Sequence, residues 1–204
     1  MKDEFDLSPL QLDALREIGN IGAGNSATAL SQIINKKIDM NVPKVAFIPI
    51  EEVPDLVGGP DNIVVGIFLR VYGKAPSNIL FLMPQKSALY LVDTLLGKER
   101  GTTQSLDGMD ESALKEIGNI LSGAYLNAFF NFTHISMLPS IPAMAMDMAG
   151  AILNVVLVQL GQMGDKAMVI ETEFLSEEEG INGHFFLVPD PGSLGTLVKA
   201  VGVE

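Results

Sequence analysis

The chain has 204 residues, 48% of them hydrophobic, enough for one large core or two small intertwined ones. Its formal charge of -12 and pI near 4.5, with no basic run, exclude a nucleic-acid partner, and the absence of cysteine excludes disulfides, thiolate metal sites and cysteine nucleophiles. The acidic start, Met-Lys-Asp-Glu-Phe-Asp, is unlike a secretory signal, and the longest apolar run, Ala149 to Leu160, is too short to span a bilayer, so a cytoplasmic protein without membrane insertion is expected.

In chain order, Ser8 to about Ile34 reads as a helix, with Ser8 as N-cap and Pro9 in the first turn. Leu12, Leu15, Ile18, Ala29, Leu30 and Ile33 recur on its apolar side. Gly19, Gly22 and Gly24 each weaken a helix by roughly 1 kcal/mol relative to Ala, and close approach of another backbone is the expected reason. Lys37 to Ile50 reads as a strand with an edge or bulge at Pro43, and Glu51 to Val57 as a short helix or loop. Asn62 to Tyr72 and Asn78 to Met83 form a hairpin, Lys86 to Leu96 a helix that stops at Gly97, and residues 97–106 a polar linker.

The same grammar then repeats. A helix over 107–132 buries Leu114, Ile117, Leu121, Tyr125, Ala128 and Phe132, and His134 to Met146 is the matching strand, with Pro139 and Pro142. Ala167 to Leu175 and His184 to Val188 make the second hairpin, and Ser193 to Val201 the last helix. The hairpins align at an offset of 105, through Phe81 to Pro84 and Phe186 to Pro189, against 99 for the helices, so about six residues are inserted between strand and hairpin. The insertion falls in Asp147 to Gly164, whose valines favour a strand while Leu153, Val156, Leu157 and Leu160 fit a helix. The expected fold is α+β: a pseudo-twofold duplication of a helix-strand-hairpin-helix unit, its strands forming one antiparallel sheet with the two long helices packed on it. Intertwining of the repeats, 8–97 and 107–204, predicts a single domain over 1–204.

The two long helices share more than periodicity. Asp13 to Asn20 (Asp-Ala-Leu-Arg-Glu-Ile-Gly-Asn) returns as Ser112 to Asn119 (Ser-Ala-Leu-Lys-Glu-Ile-Gly-Asn), 99 residues on, and 22 residues separate each asparagine from Pro43 or Pro142. The doubled signature is Asp/Ser-x3-Glu-x2-Asn-x22-Pro. At about 100° per residue, Asp13, Glu17 and Asn20 fall within an arc of about 60° opposite the apolar side, and Gly24 continues it. Ser112, Glu116, Asn119 and Gly123 repeat that arc. A lone Glu or Asn on a helix is ordinarily just solvated, but packing cannot explain keeping a polar pair twice on the side away from the core.

A carboxamide does not ionise near neutrality, so Asn20 and Asn119 are poor bases but can both donate and accept hydrogen bonds, which suits orienting a water. Positioning suffices only for a substrate that is already activated, such as an acyl phosphate on the aspartate of a partner that brings its own metal. Glu17 and Glu116 would pair with a cation on that partner, and Gly24 and Gly123 would leave room for its approach. The cluster Gly19, Gly22 and Gly24 does not follow a strand, so it is not a dinucleotide loop, and neither His134 nor His184 has a metal-ligand context.

The doubled motif, Glu17, Asn20 and Pro43 with Glu116, Asn119 and Pro142, resembles that of the CheC/CheX/FliY phosphatases of bacterial and archaeal chemotaxis, over essentially the whole chain. Two intact motifs without an added flagellar-switch domain place the resemblance on the CheC branch. It implies dephosphorylation of the response regulator CheY, with glutamate and asparagine as site residues, no cofactor of this chain's own, and Mg2+ held by CheY. Asp13 and Ser112 both lie within the family pattern. The resemblance also implies binding of the receptor deamidase CheD, for which Met146 to Ala151, around Asp147, is the expected contact, and a chain that is monomeric when free. The rival reading is a non-catalytic adaptor that docks phosphorylated CheY or regulates CheD.

Overall fold

The computed structural model describes residues 8–34, 37–49, 52–160, 166–176, 181, 183–190 and 192–201. Ile50, Glu51 and 161–164, where an expected strand, short helix and insertion begin or end, lie outside the described residues. The elements are α1 (Pro9–Ile34), β1 (Ile38–Pro49), α2 (Val53–Leu56), β2 (Ile63–Gly73), β3 (Ser77–Pro84), α3 (Gln85–Leu95), α4 (Gly108–Thr133), β4 (Met137–Pro139), β5 (Ala143–Met148), α5 (Ala149–Leu160), β6 (Lys166–Ser176), β7 (His184–Pro189) and α6 (Ser193–Ala200). Of the ambiguous insertion, Asp147 and Met148 end β5 and Ala149–Leu160 form a helix, α5.

Both long helices begin with reciprocal caps. Ser8 Oγ accepts from the Gln11 backbone N–H at 3.2 Å, while Gln11 Oε1 accepts from the Ser8 N–H at 2.9 Å. At the equivalent place Asp107 Oδ1 accepts from Met109 and Asp110 N–H groups, and Asp110 Oδ2 accepts from the Asp107 N–H at 3.0 Å. α4 ends at His134, in the left-handed region with φ 53°.

The strands form one antiparallel sheet in the order β1-β6-β7-β3-β2-β4, with β5 also paired to β2. The central pair is β3 with β7, in register at Ile79 with Leu187 and Phe81 with Phe185. Reading the order from either end exchanges the two repeats, so the pseudo-twofold passes between β3 and β7. Each repeat lends its first strand to the other repeat's hairpin: β1 pairs with β6, and β4 and β5 pair with β2.

Both edges are broken at the motif prolines. β1 shifts register between Asn41 and Lys44, around Pro43. The expected single strand from His134 to Met146 is instead two, β4 and β5, parted at Ser140 to Pro142. There Ser140 stands in for the ladder: its N–H donates to the Arg70 carbonyl at 2.7 Å, and its Oγ accepts from the Arg70 N–H at 3.0 Å.

Side chains alternate across the sheet. Val65, Ile67, Leu69 and Val71 of β2, Ile79, Phe81 and Met83 of β3, and Phe185 and Leu187 of β7 face a core closed by α1, α4, α3 and α6. Val64, Leu80, Leu82, Phe186 and Val188 face a smaller core closed by α2 and α5. Each fully buried Leu, Ile or Phe is worth about 1.5–3 kcal/mol, and the Tyr125 ring stacks on Phe185 at 4.1 Å between centroids. Two expected core residues are exposed, Ile33 and Phe132, at equivalent places in the last turns of α1 and α4, at 53% and 42%, and Leu12 and Ala29 are only half-buried.

The connection 97–106 carries no helix or strand, as a linker would, but it is tied down. Buried Asp93 accepts from the Gly101 and Thr103 N–H groups at 2.6 and 3.0 Å, and Lys98 Nζ donates to Asp110 Oδ1 at 2.9 Å. The bonds from Lys98 and the Asp107 N–H hold the Asp110 carboxyl below its usual range. Burial pushes the Asp93 carboxyl up, but hydrogen bonds from Thr103, Gly101 and Thr102 outweigh it and leave it lowered. Across the repeats, the Arg70 guanidinium grips both Asp190 carboxylate oxygens, which raises the Arg70 pKa.

Candidate functional site

α1 and α4 lie side by side on the sheet, each burying one stripe: Leu15, Ile18 and Leu30 on α1, and Leu114, Ile117, Leu121, Tyr125 and Ala128 on α4. The opposite stripes carry the motif residues. Asp13, Glu17, Asn20 and Gly24 are exposed on α1, as are Ser112, Glu116 and Asn119 on α4, with Gly123 half-buried. The structure thus brings the two sets onto the outer surface of the same helical layer, as the periodicity predicts.

On α4 the pair is already organised. Asn119 Nδ2 donates to Glu116 Oε2 at 3.1 Å, which spends one amide proton on the carboxylate and leaves Oδ1 to accept from an incoming water. Among the described residues no such bond joins Glu17 and Asn20. Ser112 Oγ donates back to the Gly108 carbonyl at 2.8 Å, so its hydroxyl is tied into its own helix, whereas among the described residues the exposed Asp13 carboxylate shows no such tie.

The glycines divide by what surrounds them. A Cβ on Gly22 would stand 2.6 Å from Cδ1 of Tyr125, and one on Gly118 would stand 2.6 Å from Cγ2 of Ile67. Those two are required by packing, although the group that approaches Gly22 is a ring and not the backbone expected. A Cβ on Gly24 or Gly123 would meet nothing within 4 Å. Internal packing therefore gives no reason for either glycine, and each costs its helix about 1 kcal/mol relative to Ala.

Asp147 is not part of these sites. It pairs with Val64 across β5 and β2, on the face of the sheet away from α1 and α4, and its Oδ1 accepts from the Met148 N–H at 2.8 Å. With Gly66, Phe68, Leu80, Ile152 and Val155 it lines an apolar cavity of about 240 Å³ beneath α5.

Sequence reasoning passed over two residues on the motif stripe. Leu10 and Met109 are 61% and 69% exposed, lie three residues before Asp13 and Ser112, and are themselves 99 residues apart. Extending the repeat comparison one turn toward the N-terminus would have found them. Among the described residues no three His, Asp or Glu side chains gather as they would around a metal ion, and no helix is long and apolar enough to cross a membrane.

The CheC-like family matches residues 10–46, which span the first Glu-x2-Asn and its proline. The chain is 40% identical over 198 residues to the CheY-P phosphatase CheC of Bacillus subtilis (strain 168), covering 95% of each. In fold it matches Thermotoga maritima FliY with a TM-score of 0.76 at 21% identity, over 97% of this chain and 98% of that one. The FliM middle domain from H. pylori matches with a TM-score of 0.71 at 15% identity, over 95% and 99%. At those identities the structural likenesses carry the fold alone, but 40% identity along nearly the whole of both sequences carries more: the chain belongs to the CheC family of CheY-P phosphatases.

Proposed function

We propose that this chain removes the phosphoryl group from the phospho-aspartate of CheY at two pseudo-equivalent sites, one on α1 and one on α4. The observation that carries the reading is the exposed Glu-x2-Asn pair present on both helices, with the Asn119 amide nitrogen bonded to Glu116 on α4. Asn20 or Asn119 accepts a hydrogen bond from a water and holds it in line with the phosphorus. The water oxygen bonds to phosphorus, the bond from phosphorus to the aspartyl oxygen breaks, and the carboxylate leaves with that electron pair. Both water protons stay with the released phosphate.

Mg2+ and the groups that cradle the phosphoryl oxygens belong to CheY; this chain contributes the oriented amide. Glu17 and Glu116 dock against a cation of the partner, and Asp13 adds to the negative edge of the α1 site. Gly24 and Gly123 let the partner's backbone come close. Removing one water-positioning amide costs about 3 kcal/mol of barrier, roughly a hundredfold at that site. Phosphate release from purified phospho-CheY tests this: the Asn20→Ala, Asn119→Ala double variant should leave only CheY's own rate. Undiminished release would refute the mechanism, and no stimulation by the native chain would favour the adaptor.

The exposed carboxylate of Asp147, at the rim of an apolar cavity on the other face of the sheet, supports a separate contact for CheD. Asp147→Lys should abolish binding of purified CheD while phosphate release is unchanged, and retained binding would remove that assignment.

A further inference from the structure

Leu10 and Met109 occupy the second helical position after caps that match in the two repeats, and no described residue covers them. A first helical turn that merely overhangs its sheet can carry any residue, and acidic ones suit the helix dipole best. Here both repeats of a chain with a net charge of -12 place a large apolar side chain there instead. The paired caps fix each first turn, so the side chains project from ordered backbone.

Their direction follows from helix geometry. Leu10 to Glu17 and Met109 to Glu116 are seven-residue steps, about 20° from exact alignment along the helix. Both apolar residues therefore stand at the glutamate edge of the motif stripe, about 80° round the helix from the asparagine. Ile33 and Phe132, also exposed and also equivalent, project about 140° round the helix from it and do not share that stripe.

Distance fits a single occupant. Ten residues separate Leu10 from Asn20 and Met109 from Asn119, a rise of about 15 Å. A protein-protein patch of standard size, about 800 Å² per partner, extends roughly 16 Å from its centre. A partner centred on the asparagine therefore reaches the apolar side chain at its margin.

We infer that Leu10 and Met109 are apolar anchors for the phosphorylated response regulator, each seating against an apolar patch of the molecule whose phosphoryl group lies under Asn20 or Asn119. This rests on the phosphatase reading above and extends its motif by one turn, to Leu/Met-x2-Asp/Ser-x3-Glu-x2-Asn. The glutamate and the anchor divide the docking: a charge pair close to the chemistry and an apolar contact two turns away.

The test isolates one site at a time. In an Asn20→Ala background only the α4 site works, and there Met109→Gln should raise the KM for the phosphorylated response regulator about tenfold, with kcat held within twofold. Met109→Leu should restore the KM, a result that a merely structural role for the side chain would not give. The mirror experiment combines Asn119→Ala with Leu10→Gln. Circular dichroism melting confirms that the variants are folded, as expected for exposed positions. Unchanged KM values, in an assay where the Asn20→Ala, Asn119→Ala chain is inactive, overturn the anchors and leave the phosphatase reading standing. If that double variant remains active, the reading falls and the anchors fall with it.

Discussion

Gly24 and Gly123 offer a test in which stability and activity move in opposite directions. Both lie inside long helices, have helical backbone, and have space around the point where a Cβ would stand. Alanine at such a position stabilises a protein by about 0.5–1 kcal/mol, through helix propensity and a less disordered unfolded chain. The Gly24→Ala, Gly123→Ala double variant should therefore melt about 2–8 °C higher, given about 2–4 °C per kcal/mol in a chain of this size. Its activity should fall. A Cβ tilts toward the helix N-terminus, so the methyl at 24 would lie over the turn that carries Asn20, and the methyl at 123 over that of Asn119. A displacement of the partner by less than 1 Å there should lower kcat/KM for phospho-CheY roughly tenfold or more. Differential scanning calorimetry and the phosphate-release assay read the two effects on one preparation. A higher melting temperature with unchanged kcat/KM would refute the clearance role, and a lower one would refute the account of the helix surface.

The other two glycines should behave oppositely: Gly22→Ala and Gly118→Ala force a methyl against Tyr125 and Ile67, and each should cost about 1–3 kcal/mol in urea titrations. Stability should fall in acid partly through Asp93 and Asp110. Their folded pKa values lie below their unfolded ones, so their contribution is complete above pH ~4, the unfolded value, and is lost as pH falls through the lower folded value. Urea midpoints measured from pH 7 to pH 3 should decline less steeply for Asp110→Asn than for the native chain, and parallel curves would argue against this. Because β1 pairs with β6, and β4 and β5 pair with β2, fragments 8–97 and 107–204 should each fail to fold alone, and a native circular dichroism spectrum from either would contradict the single intertwined domain.

Much of the fold was legible because it is built from local patterns that agree with their surroundings. The Ser8 cap, the apolar stripe through Leu15 and Ile18, and the turn after Gly73 each specify their element within a few residues. What escaped depends on distant parts of the chain. Ile33 and Phe132 keep the helical period but belong to last turns that leave them exposed, and periodicity does not report where an element outruns its support. The division of β4 from β5 is set by how Ser140 meets Arg70, 70 residues away, and the ring against Gly22 comes from the other repeat. The candidate sites were readable because the polar residues were duplicated, which singles them out from an ordinary solvated face. Their apolar neighbours Leu10 and Met109 were duplicated too, but they merged with the hydrophobic pattern.

The motif prolines acquire a meaning that the helices do not supply. Pro43 lies within the outermost strand β1, and Pro142 in the break between β4 and β5 at the other rim of the sheet, where an unbroken ladder would template a neighbouring molecule. A proline has no N–H to offer such a neighbour. The constant spacing from asparagine to proline thus joins two unlike tasks in one ruler: its first mark addresses a partner that must bind and leave, and its last turns away copies of the chain itself. The doubled motif therefore sets a proline at a break in the ladder near each rim of the sheet.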